Sequence, residues 1–207
     1  MTLTRILIVA CALALLGGCA AVAVGGAAVA GHDRRSFWTV VDDQNLELSA
    51  YDIINKDKEL SLQHNVEVIV YNGVLLLLGQ VGNDEMKARA VGYVQDFAGV
   101  KRVVDEIEVG PQKGVGQGMR DKWITSRVKT ALLDIVDVPG FDPTRVNVTT
   151  ENGAVFLMGL VTNAEAERVV EIARNVPDVM RVVKVFDYYE PPAKPAAEPA
   201  AEPAAGK

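Results

Sequence analysis

The same pattern of apolar and polar positions occurs twice along the chain. Alternating apolar residues flank Asn72-Gly73 in the first half and Asn152-Gly153 in the second, which is typical of a β-hairpin with a two-residue turn. A helix-type spacing of apolar residues follows each hairpin, over 84–97 and 164–175. Each copy then ends in a predicted strand that contains an Arg-Val-Val sequence. The chain is therefore an internal duplication.

A further helix is predicted before each hairpin, over 43–57 and 119–135. Each unit then runs helix, strand, strand, helix, strand, and its class is α+β. Both helices are expected to bury an apolar stripe on one face of a small three-stranded sheet. Gly79 and Gly159 lie inside the second strands, which indicates a bulge or the close approach of another element. Because such units have modest cores, we expect docking of one against the other to help.

The helix predicted over 119–135 has two different faces. At about 100° per residue, Met119, Trp123 and Leu133 point away from the core stripe, and Lys122 and Lys129 flank them. An exposed Trp beside lysines suits a membrane interface. The alternative is that Trp123 packs on a neighbouring loop or domain and the lysines are only solvated. The core stripe consists of Ile124, Val128, Ala131, Leu132 and Ile135.

The N-terminal stretch is typical of an export signal, because Arg5 precedes an apolar run that closes on small residues. Leu16-Gly17-Gly18-Cys19 resembles the bacterial lipobox, which implies cleavage before Cys19 and its acylation, for example with palmitate. A transmembrane anchor is the alternative, since apolar character continues to Ala30. Ala20 rather than Asp follows Cys19. By resemblance to the lipoprotein sorting rule, this implies an outer-membrane anchor that faces the periplasm.

Cys11 would be removed with the signal, so no pair of cysteines remains for a disulfide.

These features predict six segments. The segments are a signal peptide (1–18), a lipidated tether (19–41), a first domain (42–110), a glycine-rich linker (111–118), a second domain (119–189) and a Pro/Ala-rich tail (190–207) that is expected to be disordered.

The composition argues against several classes of function. A net charge of −6 and an exported location both disfavour nucleic-acid binding. His32 and His64 have no ligand-type spacing to a Cys or carboxylate, and no serine lies in a nucleophile motif. The 114–118 run lacks the strand and the Gly-Lys-Ser/Thr ending of a phosphate loop. We therefore predict no enzyme activity, no cofactor and no metal.

The repeated unit resembles a BON domain (bacterial OsmY and nodulation). The resemblance lies in the Asn-Gly hairpin, the second strand Val155-Phe-Leu-Met-Gly-Leu-Val161 and the Gly-Val-x-x-Val third strand at 99–104. It covers nearly the whole chain except the Pro/Ala-rich tail, and the first helix of the first domain is the more divergent part. Two such domains behind a lipobox resemble the dual BON-domain lipoproteins of Gram-negative outer membranes.

That resemblance implies a non-enzymatic protein that supports outer-membrane integrity, associates with the division site and binds anionic phospholipid such as phosphatidylglycerol or cardiolipin. It places the lipid contact on the first helix of the second domain. Arg120 is a weaker candidate, because we expect Asp121 to take up its charge. The alternative for Arg127 is that it forms a salt bridge to the sheet instead of contacting lipid. The lipid-binding candidates are Trp123, Lys122, Arg127, Lys129, Leu133 and Val136.

The two predicted first helices differ in charge. Acidic residues outnumber lysines in the first, whereas basic residues predominate in the second, and an anionic surface attracts only the latter. The first domain is therefore expected to pack against the second or against a protein partner. The alternative function is that of an adaptor for an envelope complex such as the outer-membrane protein assembly machinery, with Trp123 as its anchor.

Overall fold

The computed structural model describes residues 33–63 and 65–191 and shows two α+β units with the same topology. The predicted signal peptide, Cys19, most of the tether, His32, His64 and the tail from residue 192 lie outside the described residues. In the part of the chain that is described, none of the helices has both the length and the apolar character that a membrane span requires.

In the first domain, β1 pairs with β2 in antiparallel fashion and β2 pairs with β3 in parallel fashion, so the sheet order is β1-β2-β3. The domain's elements are α1 (Phe37–Lys56), α2 (Lys58–Gln63), β1 (Asn65–Tyr71), β2 (Val74–Val81), α3 (Asp84–Val94) and β3 (Arg102–Val109).

The second domain repeats this arrangement with sheet order β4-β5-β6. A short 3₁₀ turn replaces α2. The elements are α4 (Val115–Leu132), the 3₁₀ turn (Pro143–Arg145), β4 (Val146–Glu151), β5 (Ala154–Val161), α5 (Asn163–Arg174) and β6 (Arg181–Tyr188).

Both first helices begin earlier than the sequence pattern indicates. The α1 helix starts at Phe37, inside the stretch that we assigned to the tether, because the Ser36 side chain caps it by accepting a hydrogen bond from the Thr39 N–H at 3.0 Å. The α4 helix starts at Val115, inside the predicted linker, and ends at Leu132. Apolar periodicity did not reveal these first turns because their outward residues contact no core.

The two hairpin turns are as predicted. The central residues of each turn have positive φ, at 52° and 75° for Asn72 and Gly73 and at 48° and 74° for Asn152 and Gly153. A type I′ turn requires positive φ at both positions, which asparagine and glycine tolerate best.

The two strand glycines mark close approaches, as expected. A Cβ atom on Gly79 would lie 1.7 Å from the Asn65 carbonyl oxygen, and φ there is +115°. A Cβ atom on Gly159 would lie 2.7 Å from the Arg145 carbonyl oxygen. The approaching backbone is the first residue of β1 in one case and the last residue of the 3₁₀ turn, directly before β4, in the other.

The sheets are buried on both faces. In each domain the helices cover one face, as predicted, and Leu75 and Leu77 of β2 point into that core. Leu76 and Leu78 point to the other side, where the two sheets pack against each other. This explains why β2 is continuously apolar rather than alternating. The sheet-to-sheet cluster contains Ile69, Tyr71, Val74, Leu76, Leu78, Ala154, Phe156, Met158 and Val185.

Polar contacts at the rim of the two packed sheets are reciprocal. Asn72 of the first hairpin donates a hydrogen bond from Nδ2 to Asp187 of β6 at 2.7 Å. Asn152 of the second hairpin donates from Nδ2 to Glu108 of β3 at 2.6 Å. Asp187 and Glu108 hold equivalent positions in their strands. The two domains therefore meet as the halves of a two-fold symmetric dimer do, within one chain.

Candidate membrane-binding site

A buried aspartate ties the first helix of each domain to its hairpin. Asp121 accepts hydrogen bonds from both N–H groups of the Asn152-Gly153 turn, at 3.1 and 3.0 Å. Asp43 does the same for the Asn72-Gly73 turn, at 2.6 and 2.8 Å. These N–H groups would otherwise lose their partners on burial. The contact also fixes the rotation of α4 about its axis, so the opposite side of the helix faces outward.

A cation eight positions earlier supports each aspartate. Lys113 Nζ lies 3.2 Å from Asp121 and also contacts Glu151. Arg35 contacts Asp43 at 2.8 Å in the first domain. Burial disfavours the charged form of Lys113, but its hydrogen bonds to Glu151 and Asp121 outweigh burial and raise its pKa.

The expectation that Asp121 takes up the charge of Arg120 is wrong. The Asp121 side chain is buried and turned to the hairpin, where Lys113 balances its charge. Arg120 is exposed on another side of the helix. Arg120 therefore lies at the edge of the outer surface of α4, and its charge belongs to that surface.

The outer face of α4 is apolar at its centre. Trp123 is 62% exposed, and Met119 and Leu133 are similarly exposed. Val136 lies beyond the end of the helix and is 90% exposed. The predicted core stripe faces inward, with Ile124, Val128, Leu132 and Ile135 buried and Ala131 half-buried against the core. Trp123 therefore presents most of its ring to solvent.

Basic side chains flank this apolar strip on both sides. At about 100° per residue, Lys122 and Lys129 lie along one edge, and Arg120 and Arg127 lie along the other. Both lysines are exposed. Arg127 forms an ion pair at 3.6 Å with Asp178, in the loop before β6 rather than in the sheet. Because Asp178 is well exposed and Arg127 is partly exposed, the pair holds Arg127 only weakly.

A groove separates α4 and β4 from α1 and β1. One part, of about 490 Å³, lies between Val40 of α1 and Leu133 and Lys129 of α4. An adjoining part, of about 580 Å³, is lined by Lys122 and Lys129 and by Glu67 of β1. Burial, followed by the nearby charge of Glu151, raises the pKa of the Glu67 carboxyl. The two lysines thus stand at the rim of a groove that continues to the first domain.

The outer side of α1 differs from that of α4. Asp42 and Asp52 are exposed there, and Asp52 pairs with Lys56 at 2.6 Å. Leu48 and Tyr51 are exposed between these charges. An apolar strip is thus present on both helices, but only the strip on α4 is bordered by basic residues.

The segment before α1 is held against the second domain. Arg34 contacts both carboxylate oxygens of Glu165, one at 2.8 Å, and donates to the Leu160 carbonyl oxygen at 3.0 Å. Its guanidinium lies 4.7 Å from the centre of the Tyr189 ring. Burial opposes ionisation of Glu165, but hydrogen bonds from Arg34 and Thr162 outweigh it and lower the pKa of Glu165.

Sequence reasoning missed the roles of Asp121, Lys113 and Arg34. A usable signal was the recurrence of an Asp three positions before the first apolar residue of each helix that contacts a core, Leu46 after Asp43 and Ile124 after Asp121. Arg34 gave no such signal, because its partner Glu165 is more than a hundred positions away. Within the described ranges, no group of His, Cys, Asp and Glu side chains is arranged to hold a metal ion.

Comparison with known proteins identifies the repeated unit. The model of the BON domain family matches residues 42–111 and 120–188. The chain is 35% identical over 191 residues to the outer membrane lipoprotein DolP of Haemophilus influenzae, which covers 91% of this chain and 97% of that protein. It is 39% identical over 158 residues to a 21 kDa hemolysin of Actinobacillus pleuropneumoniae, covering 76% of this chain and 80% of the relative. Neither relative is named as an enzyme.

Among solved structures, the chain is similar to CdsD, a structural protein of the type III secretion system of Chlamydia trachomatis. The identity is 14%, and the match covers 71% of this chain and 63% of CdsD. The TM-score of 0.27 is too low to carry an argument about fold or function.

Proposed function

Because the chain belongs to the BON domain family and is similar over most of its length to the outer membrane lipoprotein DolP, we propose that it is a lipid-anchored module that binds anionic phospholipid through the outer face of α4. The similarity supports an outer-membrane lipoprotein. In the proposal, acyl chains on Cys19 hold the protein at the periplasmic face. Binding there supports the integrity of the outer membrane and the association of the protein with the division site.

The observation that carries the proposal is an exposed tryptophan inside a basic border on a rigid helix. An indole ring is stable at headgroup depth, where its apolar body and its polar N–H both find suitable surroundings. Lys122 and Lys129 would reach lipid phosphates from one side of Trp123, and Arg127 from the other. Leu133 and Val136 add apolar surface at the end of the helix.

The expected affinity of this face alone is low. Each basic residue contributes about 1 kcal/mol near an anionic surface, and salt weakens that contribution. One acyl chain also gives only marginal binding, whereas several chains with a second contact give stable attachment. The proposed anchor on Cys19 raises the local concentration of α4 at the membrane, so a weak contact is sufficient to orient the protein.

Co-sedimentation with vesicles tests the proposal. The fragment 33–191 is mixed with vesicles of neutral lipid alone or with added phosphatidylglycerol or cardiolipin. We expect binding only with anionic lipid, and its loss in Trp123→Ala. Leu48→Ala removes an equally exposed apolar side chain from α1, and it is expected to leave binding unchanged. Circular dichroism confirms that each variant is folded.

Two results would contradict this function. Binding that is equal on neutral and anionic vesicles would remove the role of the basic border. No binding to any vesicle would leave the exposed Trp123 face for a protein partner, such as a component of the outer-membrane protein assembly machinery.

A further inference from the structure

We propose that the first turn of α1, with the adjacent rings of Phe37 and Trp38, is a second membrane contact that enters the same leaflet as α4. This inference rests on the proposed lipid binding by α4. It assigns to the first domain a role at the membrane that its acidic helix does not suggest. The contact is confined to the N-terminal turn and excludes the rest of α1.

The two rings form an exposed aromatic unit. Phe37 is 60% exposed and Trp38 is 71% exposed. Their ring centres are 5.5 Å apart with an interplanar angle of 72°, which is the edge-to-face arrangement that aromatic pairs favour. Neither ring belongs to a core cluster of the described residues. Paired exposed aromatic rings are typical of a surface that contacts another phase or molecule.

The second domain shows that the fold does not require these rings. Phe37 lies six positions before Asp43, and Val115 lies six positions before Asp121. The residue after Val115 is Gly116, where the first domain has Trp38. The helix therefore starts at the same place in the second domain, with valine at the position of Phe37 and glycine at the position of Trp38. The aromatic pair is an addition on the surface of the first domain.

The first turn of α1 borders the proposed lipid-binding face. Phe37, Val40 and Gln44 are spaced as i, i+3 and i+7, so they share one side of α1. Val40 and Gln44 line the groove whose opposite wall includes Lys129 and Leu133 of α4. The start of α1 and the end of α4 thus lie on opposite walls of one groove, and in the proposal one bilayer surface contacts both.

The position of the proposed anchor favours a bilayer as the occupant. Thirteen residues separate Cys19 from Asp33, and they span at most about 50 Å when fully extended. Arg34 then fixes the chain to Glu165 and Leu160 of the second domain. Among the described residues, the first helical turn after the proposed anchor is thus the one that carries Phe37 and Trp38.

Local charge opposes this contact at one exposed residue of α1. Arg34 and Arg35 are both engaged with carboxylates. Asp42 is the nearest exposed carboxylate on α1, and it lies four positions after Trp38, on the same side of the helix and one turn further along. Asp52 and Glu59 lie several turns away. A basic protein partner would instead be expected to bind the acidic middle of α1, away from Trp38.

Tryptophan fluorescence in the full chain tests the inference, because Trp38 and Trp123 are its two tryptophans. The full-length protein is reconstituted in phosphatidylglycerol-containing vesicles whose acyl chains carry bromine, which quenches nearby indole rings. Trp38→Phe reports on Trp123 alone, and Trp123→Phe reports on Trp38 alone. We expect both proteins to show a blue shift in either kind of vesicle, and quenching only in the vesicles that carry bromine.

The outcomes separate this inference from the proposed function. Quenching of Trp123 without quenching of Trp38 would overturn the second contact and leave lipid binding by α4 intact. Absence of quenching at both positions would overturn both. Quenching of Trp38 to the same extent in neutral and anionic vesicles, together with quenching of Trp123, still supports the second contact, since that contact is mainly apolar.

A second set of variants tests the energetic coupling of the two contacts. Phe37→Ser with Trp38→Ser leaves Trp123 as the reporter, and we expect its quenching to need about threefold more phosphatidylglycerol than in Trp38→Phe. Leu48→Ser in the Trp38→Phe background removes an exposed side chain further along α1, and no change is expected. Equal weakening by both changes would overturn the assignment to the first turn.

Discussion

The two first helices, α1 and α4, are held in place in the same way but present different surfaces. Each is fixed to its hairpin by a buried aspartate, Asp43 or Asp121, with a cation eight positions before it. On the outside, α4 carries Trp123 between basic residues, whereas α1 carries exposed carboxylates. The fold therefore constrains the inner side of this helix and leaves the outer side free to acquire function.

Both helices share the buried aspartate contact with a hairpin, and Asp121→Ala is expected to have the largest effect on stability. It leaves two turn N–H groups without their buried partner and removes one of the two carboxylates that contact Lys113, so we expect the free energy of unfolding to fall by about 3–5 kcal/mol. Asp43→Ala is expected to have a similar effect. Asp134→Ala, an exposed change near the end of α4, should change stability by less than about 0.5 kcal/mol. Urea unfolding measures all three, and a small effect at Asp121 would contradict the proposed importance of its contact with the hairpin.

The two strand glycines are expected to differ. Gly79→Ala combines a left-handed φ with a Cβ position 1.7 Å from a carbonyl oxygen, so we expect a loss of about 3 kcal/mol or more. In Gly159→Ala the Cβ atom would lie 2.7 Å from a carbonyl oxygen, and φ there is not positive. We therefore expect the free energy of unfolding to fall by about 1–2 kcal/mol. Thermal unfolding of the two variants provides the comparison. Equal losses would show that the strand geometry is the same in both domains.

Arg34→Gln tests the contact that joins the first domain's entry to the second domain. The lowered pKa of Glu165 means that its ionised form stabilises the fold fully above its ordinary pKa of 4.5, and that this contribution is lost as the pH falls through the lower folded value. We expect Arg34→Gln to cost about 2 kcal/mol at pH 7. The difference from wild type should shrink below pH 4.5. A difference that is independent of pH would contradict this pairing.

The smallest effects are expected from single charges on the outer face of α4. Lys122→Gln and Lys129→Gln should each weaken binding to phosphatidylglycerol vesicles by about 1 kcal/mol, or roughly fivefold, at low salt. Arg127→Gln should weaken it less, because Asp178 already engages Arg127. Lys101→Gln, an exposed change in the first domain, is the control. Differences that persist at high salt would contradict an electrostatic contribution.

Much of the fold followed from the sequence because its signals are local. The Asn-Gly turns, the core stripe of α4 and the exposed position of Trp123 depend on residues within a few positions of each other. The burial of both sheet faces was indicated only indirectly, by the continuous apolar run Leu75–Leu78 in β2. Periodicity alone cannot distinguish such a run from a buried helical segment, and it does not show which element covers the second face.

The features that were missed depend on contacts between distant parts of the chain. Asp121 bonds to a turn 31 positions away, and Arg34 bonds to Glu165 across two domains. The charge of Asp121 was therefore assigned to its neighbour Arg120, which lies on a different side of the helix. For the candidate site, helical geometry was sufficient to select Trp123, Lys122, Lys129 and Leu133 as outward residues, and their lipid-binding role remains a prediction.

An amide NMR footprint of the 33–191 fragment with anionic micelles tests directly whether the outer face of α4 binds lipid. If α4 of the second domain meets the lipid, signals around Met119, Trp123 and Leu133 lose intensity, and those around Leu48 and Tyr51 of α1 do not. Neutral micelles leave both regions unchanged. A footprint centred on the middle of α1, or equal loss along both helices, would contradict the claim that the outer surface of α4 distinguishes the two domains.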